Sequence, residues 1–244
     1  MRGRLHDHGG GAQENLTYRA IERRLPGFLR RHLLHFESAI DDSLARFSES
    51  VAAGARVLDA GAGERVHARY FERQRYVAAD LAVGDQAWNY GKLDVIADLT
   101  ALPFPRGCFE ACINIVTLEH VREPGLALRE MERSLAPGGR LLLIVPHEWE
   151  VHQSPHDYYR YTRHGMAYLL GQAGFEEFTI EPVGGYFRLL SRRLLNGLQF
   201  FPGLWFFVAS LFLAPPALVL PWFDSLDRER NFTLGYICIA RKRC

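Results

Sequence analysis

Hydrophobic and polar positions divide the chain into two regimes. In "YRAIERRLPGFLRRHLLHFESAIDDSLARF" apolar residues recur at helical spacing, and Pro26 separates two predicted helices. From Arg56 onward the pattern becomes short unbroken apolar runs: "RVLDAG", "YVAADL", "LDVIADL", "ACINIV" and "RLLLIVP". Runs this short, with no polar alternation, suit parallel strands covered on both faces. Helical stretches fill the gaps. "PGLALREMERSLAPGG" starts on a proline and stops on glycines, and "TRHGMAYLLGQAGF" reads as one more helix. "FEEFTIEPV" and "FTLGYICIARK" are predicted as two final strands. Strands alternating with helices predict an α/β fold with a doubly wound, seven-stranded, mostly parallel sheet. Residues 1–50 are read as an N-terminal tail and lid helices. Residues 51–244 form the main domain, with an apolar insertion at 194–223 before the last strand.

A chain of 244 residues can bury the core of one such domain. A net charge of +1 offers no field for gathering nucleic acid, and nothing basic or aromatic is arranged for it. Cys108, Cys112, Cys238 and Cys244 make no C-x-x-C pair, so neither a disulfide framework nor a zinc site is suggested. The first residues, "MRGRLHDHGGGAQEN", contain no apolar signal segment, and a cytoplasmic location is expected.

The turn "VLDAGAGER" follows the first strand. A dinucleotide turn needs three glycines in G-x-G-x-x-G, and the third position here is Val66, which opposes a pyrophosphate and with it a nicotinamide cofactor. Asp59 precedes the glycines, where a carboxylate repels phosphate and welcomes an ammonium group. Asp80 ends the second strand, placed for both ribose hydroxyls, and Asp98 ends the third, where it can accept from an adenine amino group. Three acids on consecutive strand tips suit a cationic, phosphate-free adenosine ligand, and S-adenosylmethionine has that chemistry. The bland alternative is that these acids cap the helices that follow.

The blocks "VLDAGAG", "AADL", "ADLTALPFPRGCFEACINIVTLEHV" and "REMERSLAPGGRLLLIVP" give residues 57–146 a family resemblance. In order and spacing they resemble class I S-adenosylmethionine-dependent methyltransferases, in the group typified by ubiquinone/menaquinone-biosynthesis methyltransferases. The resemblance implies a methyltransferase. Asp59, Gly61 and Gly63 would line the methionine end of the cofactor, and Asp80 would hold the ribose with Leu81 against the adenine. Asp98 and Leu99 would meet the adenine edge and face, and Asn114 and Ile115 would lie beneath the sulfonium. One departure stands out: Arg65 occupies the position of the family's usual third glycine.

The fifth strand leads into "VPHEWEVHQSPHDYYRYT", on the side of the sheet where ligands bind. His156 is a candidate base oriented by Asp157, with Tyr158, Tyr159 and Arg160 shaping an acceptor pocket and His120 and His147 beside it. A structural cluster is the competing reading. His147, His152 and His156 lack a standard metal spacing, so no metal is expected.

Residues 194–223, thirty in all, hold no charge. Pro202, Pro215 and Pro216 are expected to divide the run, leaving a helix of about twelve residues, about 18 Å, too short to cross a bilayer. Arg188, Arg192, Arg193, Arg228 and Arg230 flank it. These features predict a shallow membrane contact, with a homodimer interface or a cover over the sheet as alternatives. The acceptor is then a small or lipid-linked molecule, such as a glycan on a lipid carrier. A non-catalytic adaptor of the same fold, for a membrane or partner surface, is the second functional reading, supported by Arg65.

Overall fold

The computed structural model describes residues 27–84 and 88–244. The predicted tail and the helix before Pro26 lie outside the described residues. Seven strands form one sheet: β1 (Arg56–Ala60), β2 (Arg75–Asp80), β3 (Val95–Ile96), β4 (Phe109–Ile115), β5 (Leu135–Pro146), β6 (Phe175–Val183) and β7 (Gly235–Lys242). Their order is β3-β2-β1-β4-β5-β7-β6. All neighbours are parallel except β7, which runs antiparallel to both β5 and β6.

The apolar runs are explained by cover on both faces. Leu141, Leu143 and Val145 of β5 point to one side, with Leu58, Cys112 and Cys238, against α3 (Pro124–Ser134) and α4 (Arg163–Ala173). Leu142 and Ile144 point to the other, with Val57 and Ile113, against Phe36, Leu44 and Phe47 of α2 (His35–Glu49). A preceding short helix, α1, spans Gly27–Leu33. Pro124 sits in the first turn of α3 as predicted, but the helix stops at Ser134 and β5 begins at once, ahead of the glycines. The Thr162 hydroxyl caps α4 by accepting from Gly165 N at 3.0 Å, and Gly174, at φ +101°, ends it. β3 is shorter than "LDVIADL" suggests. The Asp94 carboxylate accepts from Ala78 N at 2.8 Å, taking a donor that a longer β3 would have paired.

The insertion between β6 and β7 is helical: α5 (Tyr186–Gly197), α6 (Leu204–Val219) and 3-10 turns over Leu220–Leu226. Pro215 and Pro216 do not divide it. They lie inside α6, which is 16 residues long and leads directly into the following turns. Each proline removes one intrahelical hydrogen bond, but α6 packs along α5, where the Ser191 hydroxyl donates to Ala217 O at 2.6 Å and fixes its direction. The segment Leu204–Leu226, with mean hydropathy 1.9, is therefore long and apolar enough to span a bilayer, against the expectation from sequence. Its anchorage opposes a crossing. Asp224 accepts from Gly185 N and Arg188 N, each at 3.1 Å, and Asp227 accepts from Tyr186 N at 2.8 Å. The end of the insertion thus caps the first turn of α5 and returns the chain to where it left the sheet.

The flanking arginines need correction too. Arg188 pairs with Asp224 at 3.3 Å, Arg192 with Glu37 at 2.9 Å, and Arg193 with Glu150 at 2.9 Å. Those three are held in ion pairs within the chain, Arg192 buried and Arg193 at the surface.

His35, at the start of α2, has its imidazole pKa pushed down to about 4, by burial first and then by Arg188 and Arg230, against opposing pulls from Asp224 and Asp42. A depressed folded-state value means the unfolded chain takes up the proton first as pH falls. The stabilisation from neutral His35 is complete above about pH 6.5 and is lost as pH drops towards 4. Thermal melts between pH 7.5 and 4.5 should show a steeper loss for wild type than for His35→Gln; parallel slopes would refute this.

Candidate functional site

The sheet order reverses between β1 and β4, and there a cavity of about 700 Å³ opens beyond the strands' carboxyl ends. Its floor is the turn after β1. Gly61 N and Ala62 N donate to Ala79 O at 2.7 and 3.1 Å, and Gly63 N donates to the Asp80 carboxylate at 2.9 Å. Gly61 (φ +95°) and Gly63 (φ +50°) hold left-handed backbone, and a Cβ on Gly61 would overlap the Thr117 side chain. Arg65 keeps the left-handed conformation of the missing glycine, at φ 64° and ψ 30°. Its guanidinium points away from the cavity, to Lys92 O at 3.1 Å and Asp94 at 3.3 Å. Arg65 therefore does not narrow the loop.

Asp80 sits on the cavity wall with Leu81, Asp98, Leu99 and Ile115, as expected. The second Asp80 oxygen accepts from Ala82 N at 2.7 Å, so the carboxylate joins the turns after β1 and β2 and keeps lone pairs for a ligand. Asp98 accepts from Thr100 N and its hydroxyl, both at 2.8 Å. Asp59 and Asn114 are placed differently. Both are fully buried under the turn and outside the cavity wall. Asp59 accepts from the Tyr76 hydroxyl and lies 3.2 Å from His67 Nδ1, and Asn114 Nδ2 donates to Ala60 O at 2.6 Å. Burial first, and then Asp59, push the Tyr76 hydroxyl far up its range, keeping it a donor. The two side chains support the floor from beneath.

At the opposite end stand His120, His152, His156, Tyr158 and Trp149. The expected pairing of Asp157 with His156 is not present. Asp157 is taken by Arg160 at 2.6 and 2.8 Å and by His152 N at 2.8 Å, while His156 Nδ1 lies 3.1 Å from the Tyr158 hydroxyl. Burial pushes His152 down, but Glu119, the Glu150 carbonyl and Asp157 outweigh it and the net shift is upward. Burial dominates at His120 and lowers it.

Three proposed acceptor residues fall outside this wall. His147 Nδ1 meets Tyr161 O at 2.7 Å, its ring packs on Tyr236, and it lines a separate small pocket. Arg160 braces Asp157, Trp149 O and Glu150 O, and the Tyr159 hydroxyl donates to Arg122 O at 2.8 Å. Sequence reasoning missed Ile40, Trp88, Thr117 and Trp149 as wall residues. For Trp149 the signal was an aromatic just past a strand's carboxyl end; Ile40 gave none, since its position depends on how α2 docks. The Arg192 guanidinium lies 3.8 Å over the Trp149 ring, so α5 of the insertion supports the cavity wall at Trp149.

Residues 58–143 match a family described as a methyltransferase domain. A ubiquinone/menaquinone biosynthesis C-methyltransferase of Hahella chejuensis is 40% identical over 110 residues, covering 38% of this chain and 44% of that protein. The chain thus spans under half the length of that curated relative. Burkholderia thailandensis 1,6-didemethyltoxoflavin-N1-methyltransferase, solved with its substrate and S-adenosylhomocysteine, superposes with TM-score 0.51 and 17% identity, over all of this chain and 94% of that one. The cyclase SpnF superposes with TM-score 0.52 and 21% identity, over 83% and 80%. Both structures share the fold with this chain.

Gly61→Ala should destabilise the protein by about 1–3 kcal/mol, through the strained φ and the overlap with Thr117. Denaturant titration of Gly61→Ala alone and with Thr117→Ala checks it. The pair should recover part of the loss, and no recovery would place the cost elsewhere.

Proposed function

We propose that the chain is a class I S-adenosylmethionine-dependent methyltransferase of the group typified by ubiquinone and menaquinone biosynthesis, which residues 58–143 resemble, and that it transfers a methyl group from S-adenosylmethionine to a small or lipid-linked acceptor. The observation that carries the reading is Asp80. Its carboxylate stands at the tip of β2, tied to the glycine turn, at the rim of a cavity that holds a second strand-tip acid, Asp98. Such an edge receives ribose hydroxyls and an adenine amino group and repels phosphate. The Arg65 side chain lies outside the cavity, which removes the sequence-based support for a non-catalytic adaptor.

An acceptor nucleophile attacks the methyl carbon in line with the carbon–sulfur bond. The bonding pair leaves with sulfur, giving S-adenosylhomocysteine and neutralising the cation. Positioning supplies much of the rate, and an acceptor that loses a proton needs a base. His156 fills that place: it lines the acceptor end, and Tyr158, not Asp157, orients it. Calorimetric titration of the intact chain should detect S-adenosylmethionine and no nicotinamide cofactor. Asp80→Ala should weaken binding by roughly 1.5–3 kcal/mol, while His156→Ala keeps wild-type affinity. Binding of a nicotinamide cofactor alone would overturn the proposal, and loss of cofactor binding in His156→Ala would make that residue structural.

The insertion brings the acceptor end to a lipid surface without crossing it. Phe200, Leu204, Trp205, Phe207, Leu211, Phe212 and Trp222 are all exposed, between about two-thirds and four-fifths of their area. Each such side chain contributes about 1.5–3 kcal/mol when fully buried, so a few entering the acyl region would hold the protein. Because Arg188, Arg192 and Arg193 are paired internally, attachment should be mainly apolar and only weakly salt-dependent. In flotation with liposomes the intact chain should rise with both neutral and anionic vesicles, and a chain with a glycine–serine loop in place of residues 198–219 should not. An intact chain that stays below as a stable dimer, with a monomeric loop variant, would make the face a subunit interface.

A further inference from the structure

Beside the acceptor end, Glu119 is completely buried, and neither carboxylate oxygen has a hydrogen-bond partner. Its Oε1 lies 3.7 Å from His120 Nε2 and 3.7 Å from His152 Nε2. Both nitrogens are themselves buried without a hydrogen-bond partner. The other ring nitrogens settle what these atoms carry. His120 Nδ1 is 2.7 Å from the His156 carbonyl, and His152 Nδ1 is 3.1 Å from the Glu150 carbonyl. A carbonyl can only accept, so in the neutral ring each Nδ1 bears the hydrogen and each Nε2 presents a lone pair; at His152 the Glu150 carbonyl is the nearer partner, the Arg160 guanidinium lying 3.5 Å from the same nitrogen. Two lone pairs and a carboxylate thus converge with no donor among them, an arrangement that is costly in the interior unless a cation lies between.

We propose that Glu119, His120 and His152 bind a divalent first-row transition metal ion, of the zinc or cobalt type, at the acceptor end of the cavity. Two imidazoles and one carboxylate are a borderline donor set suited to such ions. Ligands about 2.1 Å from a shared ion at near-tetrahedral angles stand about 3.4 Å apart; the two histidine nitrogens each lie 3.7 Å from the Glu119 carboxylate, and all three ligand atoms lie within 4.8 Å of one another, so an ion would draw them together. The surrounding bonds are those that orient metal-binding histidines. Carbonyls fix both tautomers, and Asp157 holds the His152 backbone while Arg160 holds Asp157. A hydrogen-bonded imidazolium on His152 accounts for the cluster less well, because 3.7 Å is too long for a hydrogen bond to Glu119.

The three ligands come from two segments: Glu119 and His120 from the turn after β4, and His152 from the irregular stretch after β5. An ion there fastens those segments together and fixes the wall that also carries His156 and Tyr158. Its place at the acceptor end rests on the methyl-transfer reading; its existence does not.

The test uses the intact chain, stripped with chelator and titrated with Co2+, then displaced by Zn2+. His6 and His8 are replaced by glutamine throughout, so that the N-terminal histidines cannot contribute. One ion per chain should bind, giving the visible absorption of a low-symmetry cobalt site. Glu119→Gln and His152→Asn should each reduce affinity at least tenfold. Hydrogen exchange of residues 147–158 should slow when Zn2+ is added to wild type and stay unchanged in Glu119→Gln. Absence of uptake by a folded wild-type chain, or uptake indifferent to both substitutions, would overturn the proposal and leave a buried ion pair in its place. Calorimetry with S-adenosylmethionine on the same samples keeps the two proposals apart, since cofactor binding without metal uptake removes only this one.

Discussion

Much of this molecule follows from one constraint, the parallel pairing of β1 with β4. The chain leaves β1 towards β2 on one side and β4 towards β5 on the other, so no connection can cover the gap between their carboxyl ends. That gap must be lined by the turns that leave the two strands. The first needs backbone freedom, supplied at Gly61 and Gly63, because Thr117 of the facing turn packs directly over it. The Thr117 hydroxyl lies 3.2 Å from Gly61 O and ties the two turns together. Asp80 extends the same tie to β2. The end of the cavity at Gly61 and Asp80 is thus held by short bonds among three neighbouring turns, and its shape is set by the sheet.

The opposite end, at His156 and Trp149, is held over longer range. Tyr158 N donates to Glu119 O at 2.9 Å, and Tyr161 N donates to Pro146 O at 3.2 Å, pinning the irregular stretch after β5. Trp149 in that stretch packs at 5.1 Å on Phe36 of α2 and beneath Arg192 of α5. Arg192 is in turn held by Glu37 of α2. One aromatic residue therefore receives support from the N-terminal helices and from the insertion, which meet nowhere near each other in sequence. Whatever shifts α5 must shift Trp149 or break the partly buried Arg192–Glu37 pair. That coupling gives the apolar insertion a direct physical route to the cavity wall.

The difference between the two ends explains what could be read from the residues. Strands were legible because burial on both faces leaves an unmistakable run of apolar residues, and Asp80 because a strand tip locates itself; Asp98 reaches the cavity wall from just past the short β3. Side-chain direction at Asp59 was not: it lies inside β1, where alternation turns it beneath the floor. In the stretch 147–160 there is no periodicity to carry an orientation, so His147 and His152, equally plausible in sequence, end on different sides. The prolines of α6 show the limit from the other direction. A local rule for helix ends yields where tertiary packing and a surface position hold the helix together. The arginines around the insertion show it again, since charge counting cannot tell a strut from a free cation.

Glu119 marks where composition is least informative. Beside His120, in "LEHV", a glutamate reads as a solvated charge. Its meaning appears only when the fold sinks it to zero exposure and a histidine thirty-odd residues later arrives at its carboxylate. The glycine turn and Asp80 are fixed by the sheet and the turns beside it. Glu119, His120, His152, His156 and Tyr158 instead depend on one irregular connection and its long-range bonds. The fold alone does not select the chemistry, since a cyclase shares it. On the proposed methyl-transfer reading the selection falls to these side chains, so a chain that kept the turns after β1 and β2 but had residues 147–160 rebuilt should retain its cofactor site and change its acceptor.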